Sequence, residues 1–586
     1  MKDILNKLVL SALQDLLDER KLELEDYPIN IRETKDKVHG DFSSNIALII
    51  AKSLGLNSLD VAEAIASKIK ISKEIKKIEV AAPGFINFFV KQTTHSEILD
   101  EIYAKKDKYG AVPNKKKLKV LIEYVSSNPT GPLHIGHGRG AIFGSVLANL
   151  LSFVGFKVDE EYYINDQGRQ LDVLTLSVWL RYLIRHGIKI GMAKGTYQGV
   201  YVVEIAKYLD EKRIDAVPSS KEIITLEEEI KISIDEPGLD RLIALSKDLL
   251  GNKFKKIKTL ALNAVMEGIK EDLKSCGVHH NKWFNETSLY KKNKNKNALV
   301  LDAINLLTSE NLTYKKDAAL WFKSTTFGDD KDRVLQRANG EYTYFASDIA
   351  YHKDKYNRDY DKIINVWGSD HHGYLPRVKA AISGMGLDIE KLEVSFIQFA
   401  NLIRKGEKVS MSTRTGDFVT LSELIREASS DATRFFFINR KADQHLDFDL
   451  DLAKDQSKDN PLFYIQYAHA RICSISKNSR SIDKNILDFS DINLSLLSQD
   501  KEIEIMKSLK QFPEVIRRSA NSYEPHLLCY YLKDLAGLFH SYYNDEKILV
   551  DKDKDKTKSR LYLLESIKQV ICNGLTILSI QAPESM

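Results

Sequence analysis

Two histidines, His134 and His137, stand three positions apart in the glycine-rich stretch "SSNPTGPLHIGHGRG" at 126–140. Imidazole N–H groups at that spacing can donate to oxygens that gain negative charge in phosphoryl or nucleotidyl transfer. Gly136 and Gly138 leave room for a flat base or a phosphate against the backbone. A second stretch, "RKGEKVSMSTRTGDFVTL" at 404–421, combines glycine, hydroxyls and cations. Such a loop can close over a nucleotide and neutralise a departing pyrophosphate with Lys405, Lys408 and Arg414. Taken singly, the first stretch reads also as a structural turn and the second as a solvated basic loop. Their order along one chain gives them weight.

The elements around them must present both to one ligand. "LKVLIEYVS" is a β-rich apolar run ahead of the histidine turn. "AIFGSVLANLLSFVGF" follows, with Ile142, Val146, Leu147, Leu150 and Leu151 on one helical face and Gly155 as terminator. "KVDEEYYIND" reads as the next strand. Strand, glycine turn, helix and strand form a βαβ unit of a parallel sheet, whose ligands lie beyond the carboxyl ends of the strands. A second unit is "DKIINVWGSDHHGYLPRVKAAI", in which an apolar strand runs into Gly368 and a polar turn.

The expected organisation is an α/β protein built on a Rossmann-like parallel-sheet domain. It divides into a small α+β domain at 1–110, a first half of the sheet at 117–190, and a mainly helical connective insertion at 191–298. The second half of the sheet follows at 299–455, and an all-helical domain at 456–586, opening with Asp459 as N-cap and Pro461 in the first turn. The lysine-rich run 105–119 reads as a linker or a binding patch.

Composition excludes several classes. Lys plus Arg is 86 against 82 for Asp plus Glu, a net +4, so any polyanion must be met by a local basic face and not by overall charge. Cys276, Cys473, Cys529 and Cys572 are widely spaced, which argues against a paired-cysteine zinc site and against a disulfide scaffold. "MKDILNKLVLSALQDLLDER" is an amphipathic helix and not a signal peptide, and no apolar run approaches the roughly 18 residues a membrane span needs. A cytoplasmic protein with no membrane or DNA partner is expected.

"HIGH" followed about 270 residues later by "SMSTR" resembles the paired motifs of class I aminoacyl-tRNA synthetases. With "VWGSDHHGYLPRVKAA", "MSTRTGDFVTL", "DATRFFF" and "NPLFYIQYAHARICSI", the chain is similar to the bacterial arginyl-tRNA synthetases over nearly its whole length. The resemblance implies ATP with Mg2+ and no zinc, with L-arginine and tRNA(Arg) as further substrates. It implies an N-terminal domain on the tRNA elbow, a helical C-terminal domain on the anticodon, and a monomer. Arginine would attack the α-phosphate of ATP, with tRNA present already in this first step, and the arginyl group would then move to the terminal ribose.

It also implies roles along the motif Asn128, Pro129, Thr130, Gly131, Pro132, Leu133, His134, Ile135, Gly136, His137 and Gly138. The two histidines would stabilise the α-phosphate, and Gly136 would let adenine pack. Met411, Ser412 and Thr413 would meet ATP in a mobile loop. Ser410 and Thr413 stand where the general pattern has lysines, so the pyrophosphate cation is Lys408, Arg414 or Lys405.

Arginine demands planar acceptors for its fork of donors. Glu123 matches the guanidinium-facing carboxylate and Asn128 the residue holding the substrate's backbone end. Tyr344 and Asp348, four apart on one helical face, match the second carboxylate and its tyrosine. Asp370 is a weaker candidate. Tyr464, Tyr467, His469 and Arg471 could stack on and pair with anticodon bases, or equally pack a core. His371 and His372 read as a turn or a nucleotide contact, so no metal site is expected. Another class I synthetase or a silent RNA-binding paralogue are the alternatives; the lack of paired cysteines and of length for a large editing domain weighs against the first. Intact motif histidines weigh against the second.

Overall fold

The computed structural model describes residues 2–19, 29–34, 36–71, 75–90, 93–113, 118–292, 298–409, 419–481, 483–550 and 553–586. The chain forms two compact units, one of 1–109, 472–511 and 537–570, the other of 110–471, 512–536 and 571–586.

The second unit is built on five strands: β1 Lys119–Glu123, β2 Lys157–Ile164, β3 Lys282–Asn285, β4 Lys362–Gly368 and β5 Leu392–Ile397. They pair in the order β5-β4-β1-β2-β3, every pair parallel. Parallel strands are covered on both faces, and Val120, Leu121 and Ile122 of β1 are accordingly fully buried. The order reverses between β1 and β4, which opens a crevice for a ligand at their carboxyl ends. Three helices pack there: α1 Ile135–Phe153, α2 Tyr344–Tyr356 and α3 Leu375–Gly384. α1 lies so close to the chain leaving β1 that a Cβ at Gly144 would stand 2.2 Å from the Tyr124 ring.

The stretch expected as a helical insertion holds helices Val200–Glu211, Ser220–Ile232, Glu236–Leu250 and Asn252–Ser275. It also holds β3, the edge of the central sheet, paired Tyr162 to Trp283. Two buried arginines brace this unit. Arg139 of α1 donates to the carbonyls of Gln398, Gln444 and Lys441 at 2.7–2.8 Å. Arg434 donates to the carbonyls of Leu578 and Cys276 at 2.7 and 2.6 Å.

The first unit opens with helix Lys2–Glu19, whose Leu5, Val9, Leu13 and Leu16 are buried at helical spacing. It packs in a core with a four-stranded antiparallel sheet ordered Ile31–Glu33, Phe42–Ser44, Phe85–Val90, Ile75–Ala81. The later segments of this unit are helical. Within it Tyr109 donates to the Leu509 carbonyl at 2.7 Å, Lys507 pairs with Asp41 at 2.7 Å, and Tyr562 donates to Asp100 at 3.0 Å. The helix Pro461–Ser479 is capped by Asn460, whose Oδ1 accepts from Leu462 N–H at 3.0 Å, and not by Asp459. Among the described residues no helix is long and apolar enough to cross a membrane.

Candidate active site

The chain leaves β1 through a strained turn. Val125 and Ser126 both have positive φ, 70° and 40°, and Ser126 N–H bonds back to the Tyr124 carbonyl at 3.1 Å, a γ-turn. A β-branched residue at that φ is rare, and such strain is concentrated at functional sites. The turn faces a cleft of about 250 Å3 at the switch point, lined from β1 by 125–128, from α1 by Gly136, His137 and Gly140, and from the far side by Trp367, Asp370 and Phe399.

His134 caps α1. Its Nδ1 accepts from Gly136 N–H at 3.0 Å, and His137 Nδ1 accepts from His134 N–H at 3.4 Å. An imidazole whose Nδ1 accepts carries its proton on Nε2, so both rings are Nε2–H tautomers. They stack with centroids 3.7 Å apart. Burial lowers His134, and burial followed by the neighbouring His134 lowers His137 to about 3. Both are neutral donors at pH 7.

The two glycines of the motif differ. A Cβ on Gly136 would strike the His134 ring at 2.9 Å, so glycine there permits the stacked pair and keeps its face on the cleft. Gly138 is buried, and a Cβ there would meet Leu421 at 2.7 Å and Phe437 at 3.1 Å. Its bareness serves helix packing, where the sequence reading gave it to the nucleotide.

The exit of the 404–421 stretch is tied to the histidine turn. Leu421 N–H donates to the Leu133 carbonyl at 2.8 Å, and Thr420 pairs with His134 as a β-bridge. Its start is a hairpin, Ala400–Arg404 with Glu407–Lys408, turning on Lys405 and Gly406 at φ 51° and 77°. Lys408 is exposed, 3.7 Å from Asp447. Ser410, Met411, Ser412, Thr413 and Arg414 lie outside the described residues.

Three buried carboxylates gather beyond β1 and at the start of α2. Glu123 accepts from Ser126 Oγ at 2.8 Å and from the fully buried ammonium of Lys355. Lys355 donates also to Asn365 Oδ1 at 2.8 Å, Asn365 Nδ2 donates to His352 Nε2 at 3.1 Å, and His352 Nδ1–H donates to the Asp348 carbonyl at 2.8 Å. Glu123, expected to face a guanidinium, therefore already has a resident cation. Asp348 has a phenol donor, Tyr374, and is pushed up to about 7 by burial and by the charges of Glu123 and Glu286. Glu286, just past β3, lies against Ser347 and Tyr163 and is raised by its burial. Asn165, its amide nitrogen towards that carboxylate, donates to Glu286 Oε2 at 2.8 Å and to the Gln167 carbonyl at 2.9 Å. Tyr344, as expected on the face of Asp348, is raised chiefly by that carboxylate.

Asp348 and Glu286, both raised by burial, form a place where a cation would be favoured. Sequence reasoning missed Glu286 because it follows a four-residue, half-buried edge strand that carries no alternation to read. Asp370 is exposed in its turn, 3.6 Å from His371, and lines the cleft; the acids that raise Asp348 are Glu123 and Glu286.

Among the anticodon candidates, His469 is buried with Nδ1 2.8 Å from the Pro583 carbonyl, a packing role. Tyr467 stacks on Phe463 and sits under Arg471, 4.5 Å from its guanidinium, and Tyr464 is half-buried.

The chain was compared with known families. Residues 98–449 match the model described as tRNA synthetases class I (R), catalytic domain. Residues 3–90 match the Arginyl tRNA synthetase N terminal domain, and 465–586 the DALR anticodon binding domain. Fold and motifs thus define a class I aminoacyl-tRNA synthetase. Arginine–tRNA ligases of Coxiella burnetii (strain RSA 331 / Henzerling II) and Acinetobacter baumannii (strain AYE) are each 46% identical to it, covering 100% of both chains in the first case and 95% of both in the second. The fold of a Thermus thermophilus arginyl-tRNA synthetase matches with TM-score 0.71 at 20% identity, over 100% of both chains. The chain belongs to the arginyl-tRNA synthetase family.

Proposed function

We propose that this chain activates L-arginine with MgATP in the cleft beyond β1 and β4 and passes the arginyl group to the 3′-terminal ribose of tRNA(Arg). A carboxylate oxygen of arginine attacks the α-phosphorus, the bond to the bridging oxygen breaks, and pyrophosphate leaves with the electron pair. The 2′- or 3′-hydroxyl of the terminal ribose then displaces AMP. Nε2–H of His134 and His137 donate to the α-phosphate oxygens as they gain charge. The guanidinium lies between Asp348 and Glu286 with Tyr344 beside it. Glu123, held by Lys355, and Asn128 orient the amino-acid end. Adenine packs along Gly136. Lys408, at the mouth of the 410–418 segment, meets pyrophosphate with Lys405 and Arg414 as its alternatives, and Met411, Ser412 and Thr413 close on ATP. Magnesium arrives with the ATP phosphates as part of that substrate.

Tyr464, Tyr467 and Arg471 offer faces for unpaired bases of the anticodon, and the first step takes place with tRNA bound. A monomer working in the cytoplasm completes this reading. The observation that carries the reading is the pair Asp348 and Glu286, two buried acids with no ion pair of their own among the described residues. ATP–pyrophosphate exchange with each of the twenty amino acids, with and without tRNA, tests it. Exchange with arginine alone, and only with tRNA, is expected. Exchange with another amino acid overturns the substrate, and no exchange overturns the activity.

A further inference from the structure

The insertion grips the segment that enters the histidine turn. Tyr201, the second residue of helix Val200–Glu211, donates its phenol to the Thr130 carbonyl at 2.7 Å. Its ring fills a slot walled by glycine on two sides. A Cβ on Gly131 would stand 3.1 Å from the Cζ and Oη of that ring, and one on Gly199 would stand 2.6 Å from its Cε1. From the last insertion helix, Asp272 accepts from Leu133 N–H at 3.4 Å. Between these contacts lie only Gly131 and Pro132, and the residue after Leu133 is His134. A carbonyl fixed by a phenol and an N–H fixed by a carboxylate set the peptide planes of 130–133, hence where the His134 N–H meets His137 Nδ1.

We propose that Tyr201, assisted by Asp272, is a positioning residue for adenylate formation. The insertion holds 130–133 so that the Nε2–H donors of His134 and His137 meet the α-phosphate oxygens. This rests on the role given to the two histidines above. Tyr201 touches no reacting atom; its influence runs through the Thr130 carbonyl and three peptide units. Glycine at 199 and 131 fits the same contact: a Cβ at 199 would collide with the ring, and one at 131 would press on its hydroxyl end and shift it by a few tenths of an ångström. A donor displaced by a fraction of an ångström meets the transition state badly while the ground state still binds.

The test is Y201F, which keeps the ring in place and removes only the hydroxyl. In exchange assays with tRNA, kcat should fall about 10- to 100-fold. KM for arginine and ATP should change less than about twofold, and tRNA affinity and melting temperature should not change. In an H134A/H137A background the same substitution should have no further effect, because both groups it positions are gone. An unchanged kcat in Y201F, or equal losses in both backgrounds, overturns the proposal. Should Y201F lose the fold, G131A reports the link from the other side: its kcat must fall at nearly constant KM, and an unaltered kcat overturns the proposal. Full exchange activity in both H134A and H137A would instead overturn the underlying reading of the histidines.

Discussion

The fully buried ammonium of Lys355 donates to the Glu123 carboxylate where β1 ends, and its second hydrogen bond reaches Asn365 Oδ1 at 2.8 Å. One of three clustered acids is thereby paired with a cation from within the protein, and among the described residues the other two have no ion pair. Breaking such a pair leaves an unpaired buried charge. K355M should lose about 3–5 kcal/mol of stability, and E123Q/K355M should recover most of it. Urea denaturation of the three proteins checks this; a K355M as stable as its parent would contradict the pairing.

Arginine affinity should depend on pH through Asp348. Burial and the charges of Glu123 and Glu286 push this carboxyl up to about 7, so below that pH the arginine-free protein carries a proton that a guanidinium must displace. KM for arginine should be flat above pH 8 and rise towards tenfold per unit below about pH 6.5. His137, down at about 3, adds no titration of its own to kcat in this interval. A KM profile without slope from pH 5.5 to 8.5 would count against the assignment.

The same residue exchanges stability for binding. A carboxyl raised in the folded state supports the fold fully below its unfolded value near 4 and withdraws that support as pH rises through about 7. D348N, which still accepts from Tyr374, should melt higher than the parent at pH 8 and level with it at pH 4. It should lose arginine activation by about 100-fold or more while ATP binding persists, as expected when a charged partner is removed. Thermal melts at both pH values with ATP titration decide; equal loss of arginine and ATP binding would make Asp348 structural.

On the proposed role, H137A removes a donor to developing charge. Adenylation should slow by about 10²-fold or more, with tRNA affinity intact. Single-turnover adenylate formation and a filter-binding titration give the two numbers, and an unchanged rate would remove His137 from the site.

The parallel sheet was legible because β1 and β4 run into glycine turns followed by helices, a pattern that survives without side-chain detail. The histidine turn was legible for the same reason. What each glycine does was not: Gly136 and Gly138 are two apart, yet one faces the cleft and the other abuts Leu421 and Phe437, which only the packing of distant residues decides. Glu286 and Lys355 were also hidden. The first follows a strand too short and too exposed to show a period, and the second reads as one more lysine in the charged helix "YHKDKY" until the fold turns it inwards. Tyr201 belonged to a stretch read as a connector.

The neutral state of the stacked histidines bears on how the site lets go. A pair of full positive charges would attract ATP, adenylate and pyrophosphate alike, and the anionic product would be the hardest to shed. Two uncharged N–H dipoles interact weakly with charge that is already spread and solvated, and most with charge as it concentrates on the α-phosphate oxygens. On the proposed role of the two rings, their burial would thus favour turnover over product inhibition. The long-range attraction for a polyanion is then a task for charged groups outside the buried pair.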